Sequence, residues 1–238
     1  MKHKLKLNPK ACSVKQDKPL VILIHGLHQR AWIMWPLAKY LQKQGFSTYL
    51  HDYYSLRDNI DKHSNRLNEW LTANHDPSTA INLVGHSLGG LIIRDFISRY
   101  PQWKIARCVT LGTPHNGSTT ATYLKKLISP LVGNSFEKAL DGQNATLTKG
   151  ISLGVIAGNS PKGLGQIILN YHIRQAKLIP PYNEHDGTVF VFETKLPQAA
   201  DHITLPVSHT GMLFDRKVAQ QTAYFLDHGM FKSIDSHN

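Results

Sequence analysis

The chain of 238 residues holds only two cysteines, Cys12 and Cys108, so no disulfide framework is available to it. Cys108 lies in an apolar run and reads as a small packing residue. No stretch approaches the roughly 18 consecutive apolar residues of a membrane span. The basic N-terminal residues Lys2, Lys4, Lys6 and Lys10 are followed by no apolar segment before Pro19, so no signal peptide is expected and a cytoplasmic location is the default. His-Glu-x-x-His and paired-cysteine spacings are missing, which excludes the common zinc sites. The stretch Gly158–Gly165 lacks P-loop order, and no dinucleotide-type glycine run opens a helix. Neither a repeat nor a low-complexity tract appears. Charged residues make up only 18% against 41% apolar, which rules out a disordered chain.

What charge there is leans one way. Lys and Arg number 27 against 16 acids, a net charge of +11. The basic residues are scattered and do not interleave with aromatics, so nucleic acid is not an expected partner. A basic, solvated surface accounts for them, and contact with an anionic membrane surface is the alternative.

Short apolar runs at Leu20–Ile24, Phe46–Leu50, Ala80–Val84, Ile105–Leu111 and Ile151–Ala157, with a weaker one at His202–Leu205, alternate with segments of helical spacing. The helical stripes are Trp32, Trp35, Leu37, Tyr40 and Leu41; Ile60, Leu67, Trp70 and Leu71; Leu91, Ile92, Phe96 and Tyr100; and Val218, Thr222, Phe225 and Leu226. Continuous apolar strands alternating with helices predict one α/β domain over 1–238, a mostly parallel sheet with helices on both faces. Ligands of such sheets bind beyond the carboxyl ends of the strands.

The turn after the third run reads Gly85-His86-Ser87-Leu88-Gly89-Gly90 and leads straight into a helical stripe. G-x-S-x-G at a strand-to-helix junction is the context of a nucleophile elbow. A serine on such a turn exposes its hydroxyl, and glycines two residues to either side remove the side chains that would collide there. The helix that follows aims its free amides and dipole at the nucleophile. Leu88 is therefore expected to donate one amide to an oxyanion.

Together with that elbow, Ile24-His25-Gly26-Leu27, Leu111-Gly112-Thr113-Pro114-His115-Asn116-Gly117-Ser118, Asp186-Gly187-Thr188-Val189 and Ser208-His209-Thr210-Gly211 occur in the order found in bacterial lipases and esterases. The chain resembles the α/β-hydrolase superfamily, over most of its length. That resemblance implies an α/β-hydrolase fold and a serine hydrolase of carboxylic esters with no cofactor. Small acyl esters or lipids are the implied substrates. It also implies that the amide of Leu27 is the second oxyanion donor.

In this fold the acid and then the histidine follow the serine. His209 follows the last strand and precedes the C-terminal helix, in a loop of small polar residues; His228 reads as a helix-end residue, and His202 lies at the other end of the strand. Asp186, in the Asp-Gly turn that matches the family's acid loop, is the expected acid, with Asp201 and Asp215 as competitors. His25 reads as a structural loop histidine, His28 as either pocket or surface, and His115 as part of a pocket wall. Approximately residues 119–150 carry Tyr123, Leu124, Leu127, Ile128 and Leu131, interrupted by Pro130. They are read as a cap or lid insertion, either a mobile cover or a rigid packing helix. The single glycine after His25, in place of a glycine run, resembles lipases of medium or longer acyl chains. The same constellation also suits an amidase, thioesterase or lipid deacylase, and a non-catalytic binding module is the reading from another class.

Overall fold

A computed structural model of the protein describes residues 18–127, 150–163 and 165–233. The basic N-terminal run lies outside the described residues, as does most of the cap segment; only its first turns are described.

Among the described residues six strands form one parallel sheet. They are β1 (Leu20–Ile24), β2 (Thr48–His51), β3 (Ile81–His86), β4 (Ile105–Leu111), β5 (Leu153–Gly158) and β6 (Asp201–Leu205), in spatial order β2-β1-β3-β4-β5-β6. Each pairs parallel to its neighbour. The helices are α1 (Trp35–Lys43), α2 (Ile60–Asn74), α3 (Leu88–Arg99), α4 (Thr119–Leu127), α5 (Gln166–Ala176), α6 (Val191–Thr194) and α7 (Arg216–His228).

Strand periodicity sorts the apolar residues into two layers, because successive side chains point to opposite faces. Ile22, Ile24 and Leu83 join Leu67, Leu71, Ile92 and Phe96 of α2 and α3 on one face. Val21, Leu23 and Val84 join Leu37, Leu41, Val218 and Phe225 of α1 and α7 on the other. Both faces are thus covered, which is why the strands read as continuous apolar runs.

Two details depart from the expected pattern. Trp32 and Trp35, counted with the inward stripe of the first helix, are 69% and 55% exposed. Met34, Leu37, Ala38 and Leu41 bury that helical segment without them. Helix α5 was not anticipated: it follows a glycine- and proline-containing stretch, and of its apolar residues Leu169 is fully buried while Ile167 and Tyr171 are exposed.

The register fixes what the strands deliver. Ile24 pairs with Gly85, Leu111 with His86 and Ile156, and Gly158 with Leu205. The loops after β1, β3, β4, β5 and β6 therefore leave the sheet side by side.

Candidate active site

Ser87 stands between β3 and α3 with φ 53° and ψ −120°, a left-handed conformation that a non-glycine residue adopts only at a cost. Its neighbours hold it there. The Ser87 amide donates to the Leu111 carbonyl at 2.8 Å, and the Thr113 hydroxyl donates to the Ser87 carbonyl at 2.9 Å. A β-carbon on Gly85 would lie 2.6 Å from the backbone of Gly89 and Gly90, and one on Gly89 would strike the carbonyl of Ile24. The elbow needs both glycines for close packing, as its sequence implies.

His209 leaves the sheet after β6 and reaches Asp186, on the loop between α5 and α6. Its Nδ1 lies 2.7 Å from Asp186 Oδ2, and its main-chain amide donates to the Asp186 carbonyl at 2.9 Å. The other carboxylate oxygen, Oδ1, accepts the amides of Thr188 and Val189 at 2.9 and 2.7 Å. Gly187, at φ 94°, makes that turn possible. Asp186 is 1% exposed, so its carboxyl oxygens meet these partners rather than water. With Nδ1 committed to the acid, Nε2 is the nitrogen available to a reacting group.

Ser87 and His209 line one cavity of about 850 Å³. Leu27, Trp32, Ile33, Ala121, Ile168 and Val189 give it apolar walls. Leu27 follows β1 on this lining, and Leu88 is the first residue of α3. Gly26 lets the two segments approach: a β-carbon there would be 3.0 Å from Ser87 Cβ and 2.9 Å from His86 Nδ1.

The competing residues have other partners. Asp201 accepts the amides of His202 and Phe231, and Asp215 accepts the amide of Val218 as the N-cap of α7. His202 bonds the Thr194 hydroxyl at 3.0 Å. His228 closes α7 before Gly229, a left-handed C-cap. His115 is buried against Thr110 and Arg94, and burial pushes its pKa down to about 3; its neighbours Pro114 and Ser118 line the cavity instead. His25 is buried, stacks on Tyr53 at 4.2 Å and accepts the Tyr53 hydroxyl on its carbonyl at 2.7 Å. His28 lines the cavity.

Sequence reasoning assigned nothing to Glu193. It is 3% exposed and accepts the Thr119 amide at 2.6 Å and the Phe190 amide at 2.9 Å. Burial raises its pKa to about 7. It ties the start of α4, which walls the cavity, to the segment that follows the Asp186 turn. His86 and Gln29 were also unassigned, although both line the cavity. Among the described residues no cluster of His, Cys, Asp or Glu is arranged to hold a metal ion, and no helix is long and apolar enough to cross a membrane.

Residues 20–153, from β1 to the start of β5, match the model of a family described as palmitoyl protein thioesterase. The chain belongs to this thioesterase family. Two curated triacylglycerol lipases, from Pseudarthrobacter phenanthrenivorans and Burkholderia plantarii, are each 41% identical over 51 residues. That match spans 21% of this chain but only 16% and 14% of the two lipases. Among solved structures, the mature form of a Bacillus licheniformis lipase superposes with a TM-score of 0.68 at 20% identity, covering 90% of this chain and 93% of that one. A metagenomic carboxyl esterase gives 0.61 at 15% identity, covering 82% and 66%. At such identities these structures establish the fold, and the thioesterase-family chain has the α/β-hydrolase fold.

Proposed function

We propose that the protein is a serine hydrolase that cleaves acyl esters through an acyl-enzyme on Ser87. The observation that carries this reading is the 2.7 Å contact of His209 with Asp186 on the cavity that Ser87 also lines. In the proposed reaction the Ser87 hydroxyl attacks the acyl carbonyl while His209 Nε2 takes its proton. Asp186 fixes the tautomer of His209 and stabilises the imidazolium that forms. The oxyanion is held by the amides of Leu27 and Leu88, the latter strengthened by the start of α3. Collapse of the tetrahedral intermediate breaks the bond to the leaving group, which takes the proton back from His209. Water then repeats the attack, His209 again accepting the proton, and the acid is released.

The apolar walls of the cavity suit an acyl chain, as a small acyl ester or as a lipid. No cofactor enters the scheme. Membership of the thioesterase family supports a second leaving group, a thiolate, with the same residues in the same roles.

Labelling with a fluorophosphonate probe tests the reading. Covalent modification of the folded protein that disappears in Ser87→Ala supports it; absence of labelling in the folded parent chain favours a non-catalytic binding module. Matched esters and thioesters of graded chain length separate the two leaving groups by kcat/KM.

A further inference from the structure

The residue that the G-x-S-x-G pattern leaves unspecified is His86, and the scheme above gives it no part. Its side chain is fully buried at the end of β3 and has a polar atom opposite each ring nitrogen. Nε2 lies 3.0 Å from the main-chain carbonyl of His209, and Nδ1 lies 3.1 Å from Oε1 of Gln29. The same Gln29 oxygen accepts the amide of Gly26 at 2.8 Å. The His86 and His209 rings are 4.7 Å apart. One side chain thus bridges the loop that carries Gly26 and Leu27 and the loop that carries His209, from the position directly before Ser87.

Counting protons shows why this arrangement is more than packing. The His209 carbonyl is an acceptor only, and the Gly26 amide fixes the Gln29 oxygen as an acceptor too. Turning the Gln29 amide over would set its NH₂ against the Gly26 N–H and only move the conflict. A neutral imidazole has a single N–H to give. A second proton is disfavoured, because burial, and after it the nearness of His209, holds this ring well below the ordinary histidine range. One N–H therefore faces two acceptors. An apolar ring of similar size would fill the space without that mismatch, so volume alone does not call for a histidine.

We propose that His86 is a positioning residue that links the His209 main chain to the Gly26–Gln29 loop, its one proton serving either nitrogen, and so sets the spacing between general base and oxyanion donors. The proposal rests on the serine-hydrolase reading above. Its consequence is kinetic, because displacements of about 1 Å in a catalytic constellation cost on the order of 100-fold in rate.

The test compares His86→Phe, His86→Asn, His86→Gln and Gln29→Met. Hydrolysis of a soluble p-nitrophenyl ester is measured per active site titrated with a fluorophosphonate, so that misfolded protein does not count. Asn sets an amide where Nδ1 was and keeps the Gln29 contact; Gln sets one near Nε2 and keeps the His209 contact. The expected result is a kcat lowered by about 30-fold or more in the Phe variant with KM within about twofold. Asn and Gln each recover part of that loss. Gln29→Met lowers kcat as well, and adding it to His86→Phe costs little more, since both cut one link. A kcat per titrated site within twofold of the parent in His86→Phe, or a loss carried by KM, overturns the proposal. Should the His86 variants fail to fold, Gln29→Met decides: an unchanged kcat overturns it and a lowered kcat at unchanged KM supports it. A parent chain that is not labelled at Ser87 overturns the hydrolase reading and this proposal with it; a labelled parent with indifferent variants overturns only the positioning role.

Discussion

Asp186 holds His209 at two points, by carboxylate to ring at 2.7 Å and by main-chain carbonyl to main-chain amide at 2.9 Å. The second contact survives any change of the Asp186 side chain, so the His209 loop keeps its place when the carboxylate is altered. Asp186→Asn is therefore expected to fold with a melting temperature near that of the parent. An amide at this position admits the wrong tautomer of His209 and does not stabilise its cation. The expected loss in kcat is about 10³–10⁴-fold. Steady-state hydrolysis beside a thermal melt checks this, and a variant that retains a tenth of parental activity would show that Asp186 is not the acid.

Gly112 is the steric guard of the same pair. It sits at φ 56°, and a β-carbon there would be 3.0 Å from His209 Nδ1 and 3.1 Å from Asp186 Oδ2. Gly112→Ala is expected to cost about 1–2 kcal/mol in stability through the left-handed backbone. It is further expected to lower kcat by more than tenfold by wedging ring and carboxylate apart. Urea titration and kinetics measure the two separately. Activity unchanged within twofold would mean that the pair tolerates the intrusion.

How far the molecule could be read in advance depends on where each signal resides. The sheet was readable because its strands are buried on both faces and show as uninterrupted apolar runs. The proposed site residues Ser87, Asp186 and His209 were singled out because each sits in a local pattern of glycines and small polar residues. Trp32 and Trp35 misled because their spacing fits an inward stripe while smaller neighbours fill the core. Helix α5 was missed because its apolar residues do not gather on one inward stripe: Leu169 is buried while Ile167 and Tyr171 face solvent. The contacts of His86 with Gln29 and with His209 join residues 57 and 123 positions apart, and nothing in the local sequence announces such pairings. Glu193 was missed for the same reason: it bonds an amide 74 residues away.

Acid is expected to destabilise the fold well above the ordinary carboxylate range. Burial lowers the pKa of His51 and of His63 to about 4, and that of His115 to about 3. As pH falls below about 6.5 the unfolded chain takes up protons that these folded histidines refuse, so stability is full above that pH and drains away down to about 4. Glu193, raised to about 7, works in the opposite sense, since the folded chain keeps its proton between about 4.5 and 7. His25, His86, His185 and His202 are lowered by burial as well, so the histidines outweigh Glu193 and leave a net loss of several kcal/mol on acidification, on the scale of about 1.4 kcal/mol per pKa unit. His51 is 4% exposed and neither ring nitrogen has a partner among the described residues. His51→Phe is thus expected to flatten the decline between pH 6.5 and 4. Urea unfolding at stepped pH measures it, and a slope identical to the parent's would remove His51 from the account.

The two exposed tryptophans lend themselves to an interfacial role. Trp32 is 69% exposed on the cavity lining, Trp35 is 55% exposed, and the Lys39 ammonium lies 5.5 Å from the Trp35 ring centre. Indoles with cations beside them favour a membrane–water boundary, and the net charge of +11 favours an anionic one. Binding to phosphatidylglycerol-containing vesicles is expected at low salt, weakened by added salt, and weakened about tenfold in Trp32→Ala/Trp35→Ala by loss of buried apolar area. Sedimentation with vesicles reads this directly. Equal partitioning of parent and double variant would leave the tryptophans without such a role.

The Glu193 carboxyl group adds two buried hydrogen bonds to a seam that Asn116 and Thr120 also bridge, through the carbonyls of Glu193, Lys195 and Thr188. The Thr119 amide opens α4 and the Phe190 amide follows the Asp186 turn, and one buried carboxyl group accepts both. Glu193→Ala leaves two donors without their partner, at about 1–3 kcal/mol each when buried. The helix that carries Thr120 and Ala121 on the cavity wall is expected to loosen together with the acid loop. Stability should fall by about 2–4 kcal/mol, and hydrogen exchange should quicken at Thr119 and Phe190 before it does so in β3 or β4. A melt within 0.5 kcal/mol of the parent, a loss too small for even one orphaned donor, would mean that water replaces the carboxyl group, and the wall would then owe its position to packing and to the Asn116 and Thr120 bonds.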